Sequence, residues 1–364
     1  MKGALISLGS VSSKWIVTAM EKYFTKVDHL NLKEIEVNTV GELEVLYKGK
    51  EIDKYDCVHI MGSFRYQPIM RAISTALFHK TYVSISPEAF TIGHDKVLTQ
   101  LELQKNKIPM PKTYLASSVD AAKKVLEKVN YPIVMKFPSG TQGKGVMFAD
   151  SFGSASSMMD ALSALRQPFL IQEFVETGGI DTRAIVVGDR VVASMNRESQ
   201  GEEMRANIHI GGEGKACELD GYTKKIAVEA AKVLGADICA VDILESAKGP
   251  VIIEINLSPG LQGITKATKI DVAEEIAKLL HKNAKKLKEE GKVKDASKIM
   301  VDMGIKGGDK LKEIITNLDF RGNRILLPSA VTGMTKFDDK EEYCIEAEKG
   351  FLLIKRFSTS KEKE

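Results

Sequence analysis

The chain has 364 residues, of which 43% are hydrophobic and 28% charged, the composition of a soluble globular protein long enough for two or three lobes. A formal charge of +3 is nearly neutral and gives no argument for a nucleic-acid binder. The apolar start Ala4-Leu5-Ile6 is too short for a signal peptide and no apolar run approaches about 18 residues, so a membrane span is excluded and a cytoplasmic location is expected.

Lys2 to Leu8 reads as a buried strand ending at Gly9-Ser10, and Lys14 to Phe24 has helical spacing. Short strands follow at Val27–Leu30 and Leu43–Tyr47, then a stronger one at Cys57–Met61, a helix from Gln67 to His79 and a strand at Tyr82–Ile85. This alternation predicts an open α/β lobe over residues 1–90. No G-x-G-x-x-G fingerprint is present, so a dinucleotide fold is not supported. The loops Leu8–Ser12 and Met61–Arg65 follow strand ends, where such lobes bind ligands, and could equally be plain turns.

His94 to Gln104 reads as an amphipathic helix that Pro109 and Pro111 bring to an end, and Ser118 is placed to cap a helix to Val129. Tyr131 to Phe137 is a strand with Lys136 inside it. A lysine in an apolar strand either faces solvent or needs an anion. The segment that follows, Pro138-Ser-Gly-Thr-Gln-Gly-Lys-Gly145, leads into another strand, Val146–Ala149, and reads as a glycine-rich flap whose N–H groups and Lys144 can close over phosphates. It lacks the Walker A spacing.

Gln167 to Val175 is an apolar strand turning polar at Glu173, and Asp181–Val187, Gly188-Asp189 and Arg190–Met195 make a hairpin that carries Arg183 on one face. Gly201 to Gly214 is a polar loop holding Arg205, Asn207 and His209, expected to be mobile without ligand. After a helix from Asp220 to Leu234 come two strands, Ala240–Leu244 and Pro250–Asn256. Strict alternation puts Glu254 and Asn256 on one face with Ile252, and turns Val251, Ile253 and Ile255 into a core. If the strands pair, Asp242, Glu254 and Asn256 converge. Such a set is either the solvent face of an ordinary sheet or a hard-cation site, since oxygen donors without His or Cys suit Mg²⁺ or Mn²⁺. The four cysteines are far apart, and most of them read as reduced packing residues.

A long helix is expected from Asp271 to about Lys288, where alternating Lys and Glu read as a solvated end plus linker or as a phosphate-binding patch. Beyond it an α+β module of roughly 60 residues is expected: strand Ile299–Met303, helix Asp309–Asn317, strand Arg324–Leu327, a turn at Thr332-Gly333 and a hairpin from Tyr343 to Phe357.

Three stretches, Gly140-Thr-Gln-Gly-Lys-Gly-Val146, Arg205-Ala-Asn-Ile-His-Ile-Gly-Gly212 and Asn256-Leu-Ser-Pro-Gly-Leu-Gln-Gly-Ile264, make residues 88–285 resemble the ATP-grasp ligases of the RimK branch, which add glutamate to the C-terminus of a ribosomal protein. The resemblance implies an ATP-grasp fold of mixed α/β and α+β build: an N-terminal open α/β lobe (1–90), a nucleotide-binding and catalytic region (91–285) and a linker with accessory module (286–364). It implies that Lys96 and Lys136 contact the phosphates of ATP under a flap containing Gly143 and Lys144. Backbone groups of Gln172, Glu173, Phe174 and Val175 would read the adenine edge, with Asp181 near the nucleotide. Arg205 and Asn207 would lie near the γ-phosphate and the acyl group, and Asp242, Glu254 and Asn256 would hold two Mg²⁺ (or Mn²⁺) ions. Arg183 and the Ser258-Pro-Gly260 loop are the candidates for gripping substrate carboxylates.

The activity implied is an ADP-forming carboxylate–amine ligation through an acyl phosphate. The expected partners are ATP, L-glutamate and an acceptor protein or small-molecule carboxylate, with a homo-oligomer expected and neither membrane nor nucleic acid. The alternatives are a non-catalytic ATP-binding scaffold and a LysX-like ligase acting on an amino-group carrier protein.

Overall fold

The computed structural model describes all residues except 42, 79, 138–144, 165–168, 199–213, 303–318, 323, 328, 336, 339, 349–350 and 357–364, and the side chains of 291–302, 329–330, 334, 351 and 355–356. The chain forms two compact units, Met1–Lys294 and Asp295–Glu364.

The first unit opens with β1 (Lys2–Ser7), α1 (Val11–Met20) and β2 (Lys26–Asn31). A small antiparallel sheet follows, made of β3 (Ile35–Asn38), β4 (Glu44–Tyr47) and β5 (Lys50–Glu51), then β6 (Cys57–Ile60), α2 (Gln67–Leu77) and β7 (Tyr82–Val83). The main sheet of this lobe is parallel, in the order β2-β1-β6-β7. Helix α1 begins before the expected Lys14 because Ser10 caps it, its hydroxyl accepting from the N–H of Ser13 at 3.1 Å. The first buried positions of that helix are Ser12 and Ser13, so apolar periodicity starts only after the helix has begun.

Helix α3 (Pro87–Ile92) leads to α4 (Lys96–Lys105), and here the helix starts two residues later than the apolar pattern suggests. Asp95 is its cap, its carboxylate accepting from Val97 and Leu98, which leaves His94 in the turn.

Next come β8 (Thr113–Tyr114), α5 (Val119–Leu126), β9 (Ile133–Lys136), β10 (Val146–Ala149), α6 (Phe152–Ala164) and β11 (Leu170–Glu173). They form an antiparallel sheet in the order β10-β9-β11-β8. One face, with Ile133, Met135, Ala149 and Ile171, packs on Ala122, Leu126, Ala155 and Met159 of α5 and α6. Lys136 and Gln172 are therefore on the opposite face, because side chains alternate.

The five-stranded sheet uses β12 (Ile180–Val187), β13 (Arg190–Glu198), β14 (Gly214–Ala216), β15 (Ile238–Ser246) and β16 (Gly249–Asn256), in the order β14-β13-β12-β15-β16, with α7 (Gly221–Leu234) between β14 and β15. Its inner face carries Ala184, Val186, Cys239, Val241, Ile243, Ile252 and Ile255 into a core shared with Ala4, Ile6, Val58 and Ile60 of the first lobe. The other face changes character along its length. Ile185, Val187, Ile238 and Ala240 pack with α1, α8 (Gln262–Thr268) and α9 (Val272–Asp302), and beyond them the same face turns ionic with Arg183 opposite Asp242.

Strict alternation fails in β16. Ile243 pairs with Ile252 but Asp242 pairs with Glu254, so Ile253 is an extra residue in a bulge. The expectation that Ile252 shares the face of Glu254 is overturned: Ile252 is fully buried in the core behind the sheet, and Ile253 lines the cleft described below.

The second unit holds two hairpins, β17 (Asp319–Arg321) with β18 (Arg324–Leu326) and β19 (Tyr343–Glu348) with β20 (Phe351–Arg356), and the helix α10 (Ser329–Thr335). The strand expected at Ile299–Met303 is not found, since residues 299–302 continue α9, and the turn expected at Thr332-Gly333 lies inside α10. The helix expected at Asp309–Asn317 falls outside the described residues.

Candidate active site

A cleft of about 240 Å³ is lined by Gly62, Ser63 and Phe64 of the first lobe, by His94, Lys96 and Gln100 around α4, and by Glu254, Asn256 and Ser258 at the end of β16. The two strand-end loops of the first lobe are thus more than turns. Gly62 donates its N–H to Ser258 Oγ at 3.0 Å, while Ser12 Oγ accepts from the Leu261 N–H at 2.8 Å and donates to Gln262 Oε1 at 2.8 Å. The first lobe therefore holds the segment after β16 in place.

Lys136 donates to Gln172 Oε1 at 2.6 Å, and the amide of Gln172 donates to Thr113 Oγ1 at 2.9 Å. Thr113 in turn lies 3.3 Å from Gln100 Oε1, one turn along α4 from Lys96. Burial pulls the Lys136 ammonium down to about 8, with the charge of Glu254 opposing and that of Lys96 adding to the depression. The two lysines and Glu254, far apart in sequence, are thereby gathered around one space. Beside them Phe174 meets Phe148 edge to face, ring centroids 5.3 Å apart, an apolar wall of the kind a nucleobase needs.

Glu173 does not present its carboxylate to this space. It accepts from Tyr114 at 3.0 Å and from Lys112 and Asn130 at 3.4 Å each, on the far face of the sheet. Its own N–H and that of Phe174 are used by Lys112 and Pro132 carbonyls. Among the described residues the N–H of Val175 has no hydrogen-bonding partner.

On the five-stranded sheet, Arg183 grips Asp242 with Nε and one terminal nitrogen at 2.8 Å each. Arg197 forks onto Asp181 and also reaches Asp242 Oδ2 at 3.0 Å. Asp181 and Asp242 are almost fully buried, so this is a four-membered ionic network in a low-dielectric setting. Burial alone would push the Asp242 carboxyl up, and Arg183 and Arg197 more than reverse this, holding it at about 2. Burial raises the Asp181 carboxyl to about 6, the charge of Asp242 adding to this and Arg197 and Arg183 opposing it without reversing it.

Arg197 escaped the sequence reading, and so did Gln100 and Thr113. Counting back from the Gly188-Asp189 turn pairs Asp181 with Asn196, but the β12–β13 register shifts by one between Ile185 and Val186, which puts Arg197 opposite Asp181. The missed signal is a bulge, and a bulge leaves no mark in the alternation. Arg205 and Asn207, with His209, and Gly143 and Lys144 of the flap, lie outside the described residues. The strands that flank the flap are paired, Lys136 with Val146.

Asp242, Glu254 and Asn256 offer the hard oxygen donors that Mg²⁺ or Mn²⁺ takes. Asp242 and Glu254 face each other across β15 and β16, and Asn256 lies two residues on, its Oδ1 accepting from the Ser258 N–H at 3.0 Å. Asp242 accepts three N–H groups, which leaves room on a carboxylate for one more partner. Among the described residues no group of three or more His, Cys, Asp or Glu could hold a metal ion, so a cation here would need the amide and oxygens from the substrate as well.

Two antiparallel sheets, one bearing Lys136 and the other Asp242 and Glu254, with Lys96 at the start of α4 and a parallel α/β lobe beside them, define the ATP-grasp class of ligases. Comparison with known proteins goes further. The model of the RimK-like ATP-grasp domain matches residues 93–280. A protein of Vibrio cholerae serotype O1 named "Probable alpha-L-glutamate ligase" is 37% identical over 257 residues, 68% of this chain and 84% of the relative. One of the same name from Hydrogenovibrio crunogenus is 33% identical over 294 residues, covering 78% and 97%.

Among solved structures, the ATP-grasp ligase PsnB complexed with minimal precursor, Mg and ADP superposes with a TM-score of 0.61 at 17% identity, covering 78% of this chain and 98% of that one. The RimK domain protein from Sphaerobacter thermophilus gives 0.60 at 17%, covering 77% and 99%. The chain belongs to the RimK-like ATP-grasp family and is an ATP-dependent ligase. Among the described residues no helix is long and apolar enough to cross a membrane.

Proposed function

We propose that the chain joins the amine of L-glutamate to a carboxylate on a protein C-terminus or a small-molecule cofactor, forming ADP and phosphate through an acyl phosphate. The observation that carries this reading is the cleft itself, where Lys96 and Glu254 meet the first-lobe loop Gly62–Phe64 and both act by their charge on Lys136. The names of the relatives favour glutamate.

A carboxylate resists attack by an amine until its oxygen becomes part of a phosphate leaving group. Transfer of a phosphoryl group needs positioning and neutralisation of charge more than covalent help. In this reading Lys96 and Lys136 neutralise the triphosphate, Phe148 and Phe174 wall the base, and the Val175 N–H reads its edge. Asp242, Glu254 and Asn256 would hold Mg²⁺ or Mn²⁺, which when bound supplies charge at the phosphates. Gly62 and Ser258 fix one wall of the acceptor side, where the acid must lie in line with the γ-phosphate.

The test is to incubate the protein with ATP, Mg²⁺, isotopically labelled glutamate and cell extract, and to read ADP release together with mass gains of one glutamate residue. Failure to release ADP with any carboxylate acceptor would favour a nucleotide-binding scaffold. ADP release with label absent from every product would remove glutamate from the proposal and leave the ligase.

A further inference from the structure

The mechanism above leaves one titratable side chain of the cleft without a task. His94 sits in the turn between α3 and α4, half-buried, and lines the cleft with Lys96, Glu254, Asn256 and Ser258. Its Nδ1 lies 3.0 Å from the carbonyl oxygen of Phe90. A carbonyl only accepts, so Nδ1 carries the hydrogen and the ring is the tautomer whose Nε2 holds a lone pair. Stacking on Phe90, at 6.4 Å between centroids and 21° between planes, fixes the ring's orientation. The turn is pressed against the end of β16. A side chain on Gly93 would put its Cβ 2.9 Å from Leu257 Cδ1, so glycine there lets the backbone approach, and Leu257 lies between Asn256 and Ser258.

An amino acid enters with its amine protonated, and an ammonium nitrogen has no lone pair with which to attack. We propose that His94 is a catalytic residue of this ligation: its Nε2 takes the proton that the incoming ammonium group must shed before the nitrogen attacks the acyl phosphate. This rests on the reading that an amine attacks an acyl phosphate in this cleft. The nitrogen then forms its bond to the acyl carbon, the bond from that carbon to the phosphate oxygen breaks, and its electron pair stays on the phosphate. The second proton lost by the nitrogen leaves with the phosphate as hydrogen phosphate. The imidazolium returns its proton to solvent, so each turnover releases one proton.

Two features suit His94 to this task. Burial lowers its pKa from the usual histidine value, although the Phe90 carbonyl opposes this, so the ring is uncharged at neutral pH and ready to accept. The charged groups on the elements around it are Asp95 and Lys96 at the start of α4, Glu254 on β16, Arg65 after Phe64, and Arg71 on α2, which donates to Thr91 of α3. Asp95 is spent on capping α4 and Lys96 repels an imidazolium, so a proton taken up by the ring is readily given back.

The experiment separates the proton transfer from what precedes it. Hydroxylamine is already uncharged at neutral pH and traps acyl phosphates without needing a base. With wild type, His94→Gln and His94→Asn, the rate of amino-acid ligation is compared with that of hydroxamate formation using the same acid. The expected result is a fall of at least about 100-fold in the ratio of ligation to hydroxamate formation, the lower range of general-base contributions. The acid limb of kcat/KM for the amine should move as well, from the histidine range up to the pKa of the amine, the variants following the free-base fraction of the amine. A fall in both rates together, with nucleotide binding kept, would make His94 a structural or acid-binding group and overturn the proposal. So would an unchanged ratio. A wild-type protein that forms neither ADP nor hydroxamate with any acid would overturn the ligase reading, and this proposal with it.

Discussion

Lys136 carries its charge at a cost that Glu254 offsets only in part and that an anionic ligand would relieve further. Half-buried, beside the charge of Lys96 and held by Gln172, its ammonium is pulled down to about 8, so near that pH the free protein is already losing the charge that a triphosphate would favour. Bound phosphates raise the pKa again, and the difference appears as a pH-dependent affinity. The sign follows: affinity is complete below about 8 and falls as pH rises, by up to about tenfold per unit until the pKa of the complex is reached. Titration of a non-hydrolysable ATP analogue from pH 7 to 9.5 should show this in the wild type and a flat profile in Lys136→Arg, which stays charged throughout. A flat wild-type profile would contradict the placement of Lys136 at the phosphates. Arg197 makes a complementary case for stability. Arg197→Gln leaves Asp181 buried without its fork and should cost about 3–5 kcal/mol in chemical denaturation, as breaking buried pairs does. Asp181→Asn in the same chain should recover part of that loss, and strictly additive costs would show that the pair is not coupled.

At the level of strands, two one-residue bulges build the ionic face. Both hairpins start in regular register from their turns, Val187 opposite Arg190 and Ser246 opposite Gly249, and both slip by one before the site. Without the slip Asp242 would face Ile253, and Glu254 would point into the core. Part of this region was legible in the sequence: the strands and their turns follow from spacing, while the grouping of Lys96, Lys136, Asp242, Glu254 and Asn256 in one site is what the resemblance to the RimK branch implies. Arg197, His94 and the position of Ile252 were not, since each depends on where a ladder slips or a helix starts, and a period-two or 3.6-residue pattern carries no record of either. The same geometry yields a prediction about Glu254. Glu254→Gln keeps the shape of the side chain and removes its charge on a strand whose packing rests on Ile252 and Ile255, so turnover should fall by at least roughly tenfold at unchanged melting temperature. Unchanged ADP production would remove Glu254 from the metal set. A lowered melting temperature would instead give it a structural duty.

Across the whole chain, the cores say which part must fold for the site to exist. All three apolar clusters draw on residues between Leu5 or its neighbours and Ala284, and every described site residue lies in the same unit. Helix α9 is anchored within that unit as far as Lys288, whose ammonium bonds Asp56 at 2.7 Å, while Asn283 donates to Tyr82 at 2.9 Å. The second unit is built differently: its hairpins have two strands each and leave Phe320 63% and Ile345 61% exposed, and two-stranded hairpins contribute little stability of their own. A chain ending at Lys294 should therefore keep a single cooperative melt and bind an ATP analogue within about twofold of the full-length protein, because it keeps every described member of the three cores. Ligation by the same fragment then reports on the second unit. Loss of transfer to a protein acceptor with hydroxamate formation retained would give residues 295–364 a part in acceptor recognition, whereas loss of nucleotide binding would mean that the first unit does not stand alone.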